Sequence, residues 1–366
     1  MRVALLTSAN GWRGSGVSYA KIARGLQQRG HTAHLVTAAS KLTRRLEDEG
    51  LEVTQIPGRD TGPREVWALR RTLRRVGAQA IIADTPRDVR LSFYATLVHR
   101  ARILYRYNLN YRRPRTHLMD RVYLGRVAAC VYQSRYIHDD AVHHASWMRR
   151  IPSFQVPNGY DTSRYGPRPE AAQAFRARYG IDPGARVVLS AAKLTRHKGQ
   201  EVAINALHRL HRDGLDLVYV VCGDGHREGE LSSMAAGYRL PTVFTGLLGT
   251  RDMIAGYNAA DLVVHPSLQE IFPNAVGEAM ACGRPVVAAD AGGTAELLGR
   301  DGSTGVLVPP ADASALADAV QSLLHDPARL QALGESARRR IEQDFPLDRM
   351  VDGYEQALRE VIGRGG

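Results

Sequence analysis

Short apolar runs separated by helix-period segments recur along nearly the whole chain, and the series runs through twice. The first series is VALLT at 3–7, HTAHLVT at 31–37, QAIIA at 79–83, RILY at 102–105 and AACVY at 128–132. The second is RVVLSA at 186–191, LDLVYVVCG at 215–223, TVFTG at 242–246, LVVHP at 262–266, RPVVAA at 284–289 and GVLVPP at 305–310. Runs of this kind alternating with helices form βα units, and βα units build parallel sheets. Between the two series lies VPNGYDTSRYGPRPE at 156–170, which is turn and linker chemistry, so the domain boundary is expected near 165. Beyond residue 311 the pattern is helical to the end, with Pro346 setting off a last separate helix. A chain of 366 residues also exceeds the size at which one core stops growing. The expected architecture is α/β, with two doubly wound, Rossmann-like parallel-sheet domains over 1–165 and 166–345 and a terminal helix over 346–366. Open parallel sheets bind ligands outside the carboxyl ends of their strands, and two facing sheets would share that crevice. Function is therefore sought in the loops that follow strands.

Hydrophobic residues make up 44% and charged residues 23%, which fits an ordinary globular protein and not a fibrous or disordered one. No apolar run approaches the ~18–20 residues that a membrane span needs. The opening MRVALLTSANG has the ingredients of a weak signal peptide, but it runs straight into a glycine-rich loop and a helical pattern, so a buried first strand is expected. Cys130, Cys222 and Cys282 stand far apart in apolar surroundings without metal-ligand spacing and read as reduced core residues of a cytoplasmic protein. The net charge of +12 is unevenly spread: residues 1–165 carry 28 Lys+Arg against 12 Asp+Glu, and residues 166–366 carry 21 against 25. All of the excess positive charge lies in the first half.

The most informative stretch is HPSLQEIFPNAVGEAMACGRPVVAADAGGTAE at 265–296. Glu270 follows a strand, and Glu278 lies eight residues on, inside a helix opened by Pro273. The N–H groups of Asn274, Ala275 and Val276 would face outward at that helix N-terminus and suit an anion such as a diphosphate. The two glutamates could hold two hydroxyls of one ligand, or be solvated surface charges. In KLTRHKG at 193–199, Lys193 and Lys198 sit at a strand end, where they could meet phosphates as point charges or be plain loop lysines.

These residues resemble the retaining nucleotide-sugar glycosyltransferases of the GT-B fold (family 4, group 1 type). That family's motif pairs two glutamates separated by seven residues and continues as Glu-Ala-Met-Ala-Cys-Gly-x-Pro-Val-Val; here 278–287 reads EAMACGRPVV. The resemblance implies that Glu270 contacts donor-sugar hydroxyls and Glu278 the nucleotide ribose. It implies further that Lys193 and Lys198 meet the donor diphosphate, although Lys193 stands where the family usually has arginine and so lacks the planar fork. Ile271 and Pro273 replace common glycines, and Ile271 would alter the space around the sugar. CGDGH at 222–226, with Gly223 and Gly225, resembles a turn lining the nucleotide site; VFTGLL at 243–248 resembles the segment that meets the base; PNGYD at 157–161 resembles the run before the interdomain linker.

The loop NGWRGSGVSYA at 10–20 follows the first strand and opens a helix, with glycines that admit close backbone approach. It is not a dinucleotide fingerprint: G-x-G-x-x-G is absent, and His34 and Thr37 bracket the place of the acidic ribose contact. The resemblance puts Gly14, Ser15 and Gly16 against the donor phosphates and the acceptor. Many family members have a histidine after the fifth strand, near the reacting carbon, where ILYRYNLNYRR at 103–113 supplies Asn108. Asparagine cannot be a general base but can hydrogen-bond a sugar hydroxyl. Asp84 is either its partner in proton handling or a helix cap.

The resemblance thus implies an acceptor-binding first domain, a donor-binding second domain, a last helix crossing back from near Leu347, and transfer with retention of anomeric configuration. No cofactor or metal is expected, since Asp-x-Asp is absent and the thirteen histidines form no ligand-spaced cluster beyond His143-His144. The basic runs at 64–75, 110–121 and 148–150 favour an anionic partner: a glycan or lipid-linked acceptor, with peripheral contact to the inner face of an anionic membrane. Cell-envelope lipid or polysaccharide synthesis is the expected setting. Nucleic acid is ranked low, because interleaved stacking aromatics and any binding module are missing. A nucleotide-sugar epimerase or phosphorylase of similar fold is the alternative.

Overall fold

The structure, a computed structural model, describes residues 1–9, 14–58, 60–108 and 118–363. It divides into two compact units, Met1–Gly159 with Leu347–Gly366, and Tyr160–Pro346. In the first, strands β1 (Arg2–Thr7), β2 (Thr32–Thr37), β3 (Val53–Gln55), β4 (Ala80–Ala83), β5 (Arg102–Tyr107), β6 (Val127–Tyr132) and β7 (Ser153–Gln155) form one sheet in the order β3-β2-β1-β4-β5-β6-β7. They alternate with α1 (Gly14–Gln28), α2 (Ser40–Asp48), α3 (Pro63–Val76), α4 (Pro86–Thr96), α5 (Leu118–Leu124) and α6 (Arg135–His144). Every pairing is parallel. The edge strands β3 and β7 were not anticipated: three residues each, none of them buried, they carry no readable apolar run.

The second unit opens with α7 (Pro169–Arg178). Strands β8 (Arg186–Ala191), β9 (Leu217–Cys222), β10 (Thr242–Gly246), β11 (Leu262–His265), β12 (Val286–Ala289) and β13 (Val306–Val308) form a parallel sheet in the order β10-β9-β8-β11-β12-β13. Its other helices are α8 (Gln200–Arg212), α9 (Glu228–Gly237), α10 (Thr250–Ala259), α11 (Asn274–Ala281), α12 (Thr294–Leu298), α13 (Ala313–Leu324) and α14 (Pro327–Asp344). The segment expected to divide the chain near 165 gives residues 160–165 to this unit, where Tyr160 and Tyr165 are buried in the core with Phe175, Tyr257 and Val276.

Helices cover both faces of each sheet, which is why the central strands are continuous apolar runs. One face of the first sheet packs Leu5, Leu35, Ile82 and Leu104 against α1 and α15 (Leu347–Gly363); the other packs Leu6, Val36 and Ile81 against α3 and α4. In α15, Val351, Tyr354, Leu358 and Val361 recur at helical spacing and are buried in the first unit's core. Arg29, just past α1, fastens it through Asp352 at 2.5 Å and Glu355 at 3.0 Å. The three cysteines are buried and none forms a disulfide. Among the described residues no helix is long and apolar enough to cross a membrane.

Strand order reverses between β1 and β4 in the first sheet and between β8 and β11 in the second. The loops after those strands diverge and leave a crevice at each reversal.

Candidate functional site

In the second unit the reversal brings together the loops after β8 and β11. Ser267 Oγ and Leu268 N both donate to the His197 carbonyl, at 3.1 and 2.8 Å, stapling the second loop onto the first. Lys198 Nζ consequently meets Glu270 Oε1 at 2.5 Å. His265, the last residue of β11, brings Nε2 to the same oxygen at 2.7 Å. A carboxylate oxygen accepts from both, and Glu270 Oε2 has no partner among the described residues. Burial would raise the Glu270 pKa, but hydrogen bonds and charges from His265 and Lys198 outweigh it and hold the group at about 2. The result is a buried carboxylate that is fully ionised at neutral pH. Sequence reasoning missed His265, which reads as the end of an apolar strand; a histidine closing a strand next to the reversal was the available signal.

The helix carrying Glu278 begins at Asn274, with Pro273 just before it. The first bond back along this helix runs from Gly277 N to Pro273 O at 3.3 Å, so the N–H groups of Asn274, Ala275 and Val276 precede the helical ladder. Glu278 is half-buried among tyrosines: Tyr257 donates its hydroxyl to Oε2 at 3.2 Å, and the Tyr165 hydroxyl also bonds to the carboxylate. Burial, reinforced by the Glu278 charge, pushes the hydroxyls of Tyr160, Tyr165 and Tyr257 above their ordinary pKa.

Lys193 is exposed and forms no ion pair among the described residues; the structure does not bring its ammonium into the Lys198–Glu270–His265 cluster. Gly223 and Gly225 lie in the loop after β9, pressed against the loop after β8. A Cβ at Gly223 would strike the Ala192 carbonyl and one at Gly225 the backbone of Leu194. Both glycines are required by loop packing, whatever else they do.

In the first unit, Gly14, Ser15 and Gly16 form the first turn of α1, while residues 10–13 of that loop lie outside the described residues. Asn108, just past β5, donates Nδ2 to Ser15 Oγ at 3.3 Å and to Asp84 Oδ1 at 2.8 Å. Asp84 does not cap α4. That is done by Thr85, which shares a capping box with Asp88. Burial, then the Asp84 charge, raises Asp88 to about 6. The basic run at 110–121 lies largely outside the described residues. No group of three His, Cys, Asp or Glu side chains suited to a metal occurs among the described residues.

The family model described as Glycosyl transferases group 1 matches residues 172–340, and the one described as Glycosyltransferase Family 4 matches residues 12–164. The chain is 36% identical over 193 residues to a GDP-mannose-dependent alpha-(1-6)-phosphatidylinositol monomannoside mannosyltransferase from Mycolicibacterium smegmatis, covering 50% of each. It is 33% identical over 195 residues to an alpha-D-kanosaminyltransferase from Streptomyces kanamyceticus, covering 52% of this chain and 50% of the relative. The chain thus spans about half the length of the curated relatives it matches. The crystal structure of Anabaena HepE in complex with UDP and glucose superimposes with a TM-score of 0.86 at 21% identity, covering 98% of this chain and 99% of that one. Two parallel-sheet domains, one for each of two family models lying end to end, lead to one assignment: the chain belongs to the group 1, family 4 glycosyltransferases and has their GT-B fold.

Proposed function

We propose that this protein transfers a sugar from a nucleoside-diphosphate-sugar to an acceptor hydroxyl with retention of anomeric configuration. The observation that carries the reading is the Lys198–Glu270–His265 cluster at the strand-order reversal, with Glu270 and His265 buried and Glu270 four residues before the N-terminus of α11. A carboxylate held ionised by a lysine and a histidine accepts hydrogen bonds from sugar hydroxyls through Oε2. Lys198, with two further N–H donors, meets the diphosphate together with Lys193 and the N–H groups of Asn274, Ala275 and Val276. These donors stabilise charge on the leaving nucleotide as its bond to the anomeric carbon breaks. Glu278 takes the ribose, and Gly223 and Gly225 let backbone approach the nucleotide. In the first domain, Gly14, Ser15, Gly16 and Asn108 serve the donor and the acceptor.

No carboxylate is placed as a nucleophile in this scheme. The acceptor oxygen bonds to the anomeric carbon on the face that the phosphate leaves, and the departing phosphate oxygen takes the acceptor proton. A nucleotide-sugar donor is supported by the GDP-mannose dependence in one relative's name and by UDP with glucose in the Anabaena structure. The lysines supply the positive charge, so turnover is expected to survive added chelator. The basic first half favours an anionic glycan or lipid-linked acceptor in envelope glycan synthesis, with the enzyme cytoplasmic and resting on an anionic membrane.

The test is a thermal-shift screen with UDP, GDP, ADP, CMP, dTDP and their sugar conjugates, in which a ligand at ~100 times its Kd stabilises by ~2.7 kcal/mol. A selective shift followed by transfer to an acceptor, with retained configuration by NMR, supports the reading. An inverted product overturns retention; phosphate-dependent turnover, or a donor altered without acceptor, points to a phosphorylase or an epimerase.

A further inference from the structure

The first unit holds a buried polar chain around the strand-order reversal. Thr7 ends β1, Asp84 follows β4 directly, and Arg106 and Asn108 lie on and just past β5; Asp84 is 0% exposed and Arg106 3%. Arg106 Nη1 donates to Asp84 Oδ1 at 2.9 Å, and Thr7 Oγ1 donates to Oδ2 at 3.0 Å. Behind Arg106, Tyr354 of α15 makes a hydrogen bond to it, and the Tyr19 ring of α1 lies 5.9 Å from the guanidinium carbon. Residues from β1 and β5 thus converge on one carboxylate, and α1 and α15 back the arginine that holds it.

This chain fixes which way the Asn108 amide points. A guanidinium only donates, so Asp84 Oδ1 is an acceptor, and the amide atom 2.8 Å from it must be the NH2 group. A flipped amide would set oxygen against oxygen. The second N–H goes to Ser15 Oγ, which uses both donors, and Oδ1 accepts from no described residue. We infer that Asp84 is a positioning residue that holds Asn108 as a hydrogen-bond acceptor toward ligand, so that position 108 selects a sugar group able to donate, a hydroxyl or an amine, over one that only accepts. Sites built to pair with a hydroxyl reject analogues lacking it far more strongly than apolar pockets reject an extra group. The identity of the ligand as a sugar rests on the transfer reading; the orientation of the amide does not.

Asn108→Asp separates the two. In its protonated form the introduced carboxyl matches the amide, donating O–H to Asp84 and presenting its other oxygen. In its ionised form it confronts the Asp84 carboxylate, so the pair keeps one proton to higher pH than either acid alone. Asp84 faces the position directly, and the charged and titratable groups coupled to it are Arg106, Tyr19, Tyr354 and Asp88; all are present in wild type, so the difference between variant and wild type reports the change at position 108. The folded-state pKa of the introduced acid is raised above its unfolded value. The variant should therefore melt close to wild type near pH ~5 and fall progressively below it toward pH ~8. With UDP-glucose or GDP-mannose as donor, its kcat/KM relative to wild type should be at least ~10-fold higher at the acid end. Asn108→Leu should show no such recovery.

A variant whose melting tracks wild type across the pH range overturns the inference. So does one that shows the melting difference yet turns over at the wild-type rate at pH ~8. If wild type uses neither sugar nucleotide, the melting series still decides the orientation, and the failure belongs to the transfer reading.

Discussion

Burying a charged carboxylate is costly unless partners replace the water it loses, and Glu270 keeps its charge because Lys198 and His265 converge on one of its oxygens. A group held at about 2 instead of its ordinary 4.5 contributes about 3 kcal/mol at neutral pH. The sign follows from the lowered pKa: the contribution is whole above the unfolded value and is lost as pH falls through the folded one. Urea unfolding at pH values from ~7 to ~2 should show Glu270→Gln lacking this component, with its deficit against wild type shrinking in acid. Lys198→Ala should lower kcat by ~10²–10³-fold, as expected when a charge-stabilising donor is removed. Lys193→Ala, which breaks no ion pair among the described residues, should cost less. Steady-state rates with the donor found by thermal shift would rank the two, and equal losses would overturn the ranking. Glu270, Glu278 and Lys198 were legible because a short motif carries them. The His265 contact was not, because it depends on how the loop after β11 returns over its own strand. The Asp84–Asn108 bond was hidden for a different reason: it spans 24 residues and exists only because β4 and β5 are neighbours.

Among the elements, α15 has the clearest energetic role. It closes one face of the first sheet, and Met350, Val351, Tyr354, Leu358 and Val361 are all buried there. Fully burying such a side chain contributes ~1.5–3 kcal/mol, so the five together are comparable to the whole net stability of a typical domain. Removing the residues after Pro346 should therefore unfold the first unit, uncovering Arg106, while the second unit keeps its own core. Hydrogen exchange would show protection lost across β1, β4, β5 and β6 but kept across β8, β9 and β11; loss in both sheets would sink this account. The helix itself was visible in sequence from its apolar spacing and from Pro346. Its destination came from the family resemblance and not from its own pattern, since periodicity says which face of a helix is buried but not against what; the helix packs in the first unit, as that resemblance implied. The strands β3 and β7 escaped because three residues at a sheet edge, none of them buried, carry no apolar pattern.

At the scale of the whole molecule, charge and exposed apolar surface are biased toward the same half. Residues 1–165 carry the positive excess, and the first unit also supplies exposed Trp67, Leu97, Val98, Met119 and Val122. These lie on or just beyond α3, α4 and α5, which form one layer: Arg70 of α3 donates to the Tyr94 carbonyl of α4 at 2.8 Å, and the Tyr94 and Tyr123 hydroxyls of α4 and α5 meet at 3.0 Å. Arg71 sits over the Trp67 ring, 5.6 Å from its centroid, so the layer presents arginines interleaved with apolar groups. Such a surface is drawn to anionic lipid by charge and retained by shallow apolar burial, each basic residue near the surface contributing ~1 kcal/mol. The charge bias was plain in the composition, whereas the apolar half of the surface was not, because Leu97 and Val98 read in sequence like any helix end. Sedimentation with phosphatidylcholine vesicles, with and without phosphatidylglycerol, should give binding only to the anionic set. That binding should weaken as salt shortens the Debye length from ~10 Å at 0.1 M to ~3 Å at 1 M. Trp67→Ala should reduce it several-fold without changing its salt dependence, since the ring supplies apolar contact and not charge. Equal sedimentation with neutral vesicles would remove the electrostatic half of the argument, and an unaltered Trp67→Ala variant would remove the apolar half.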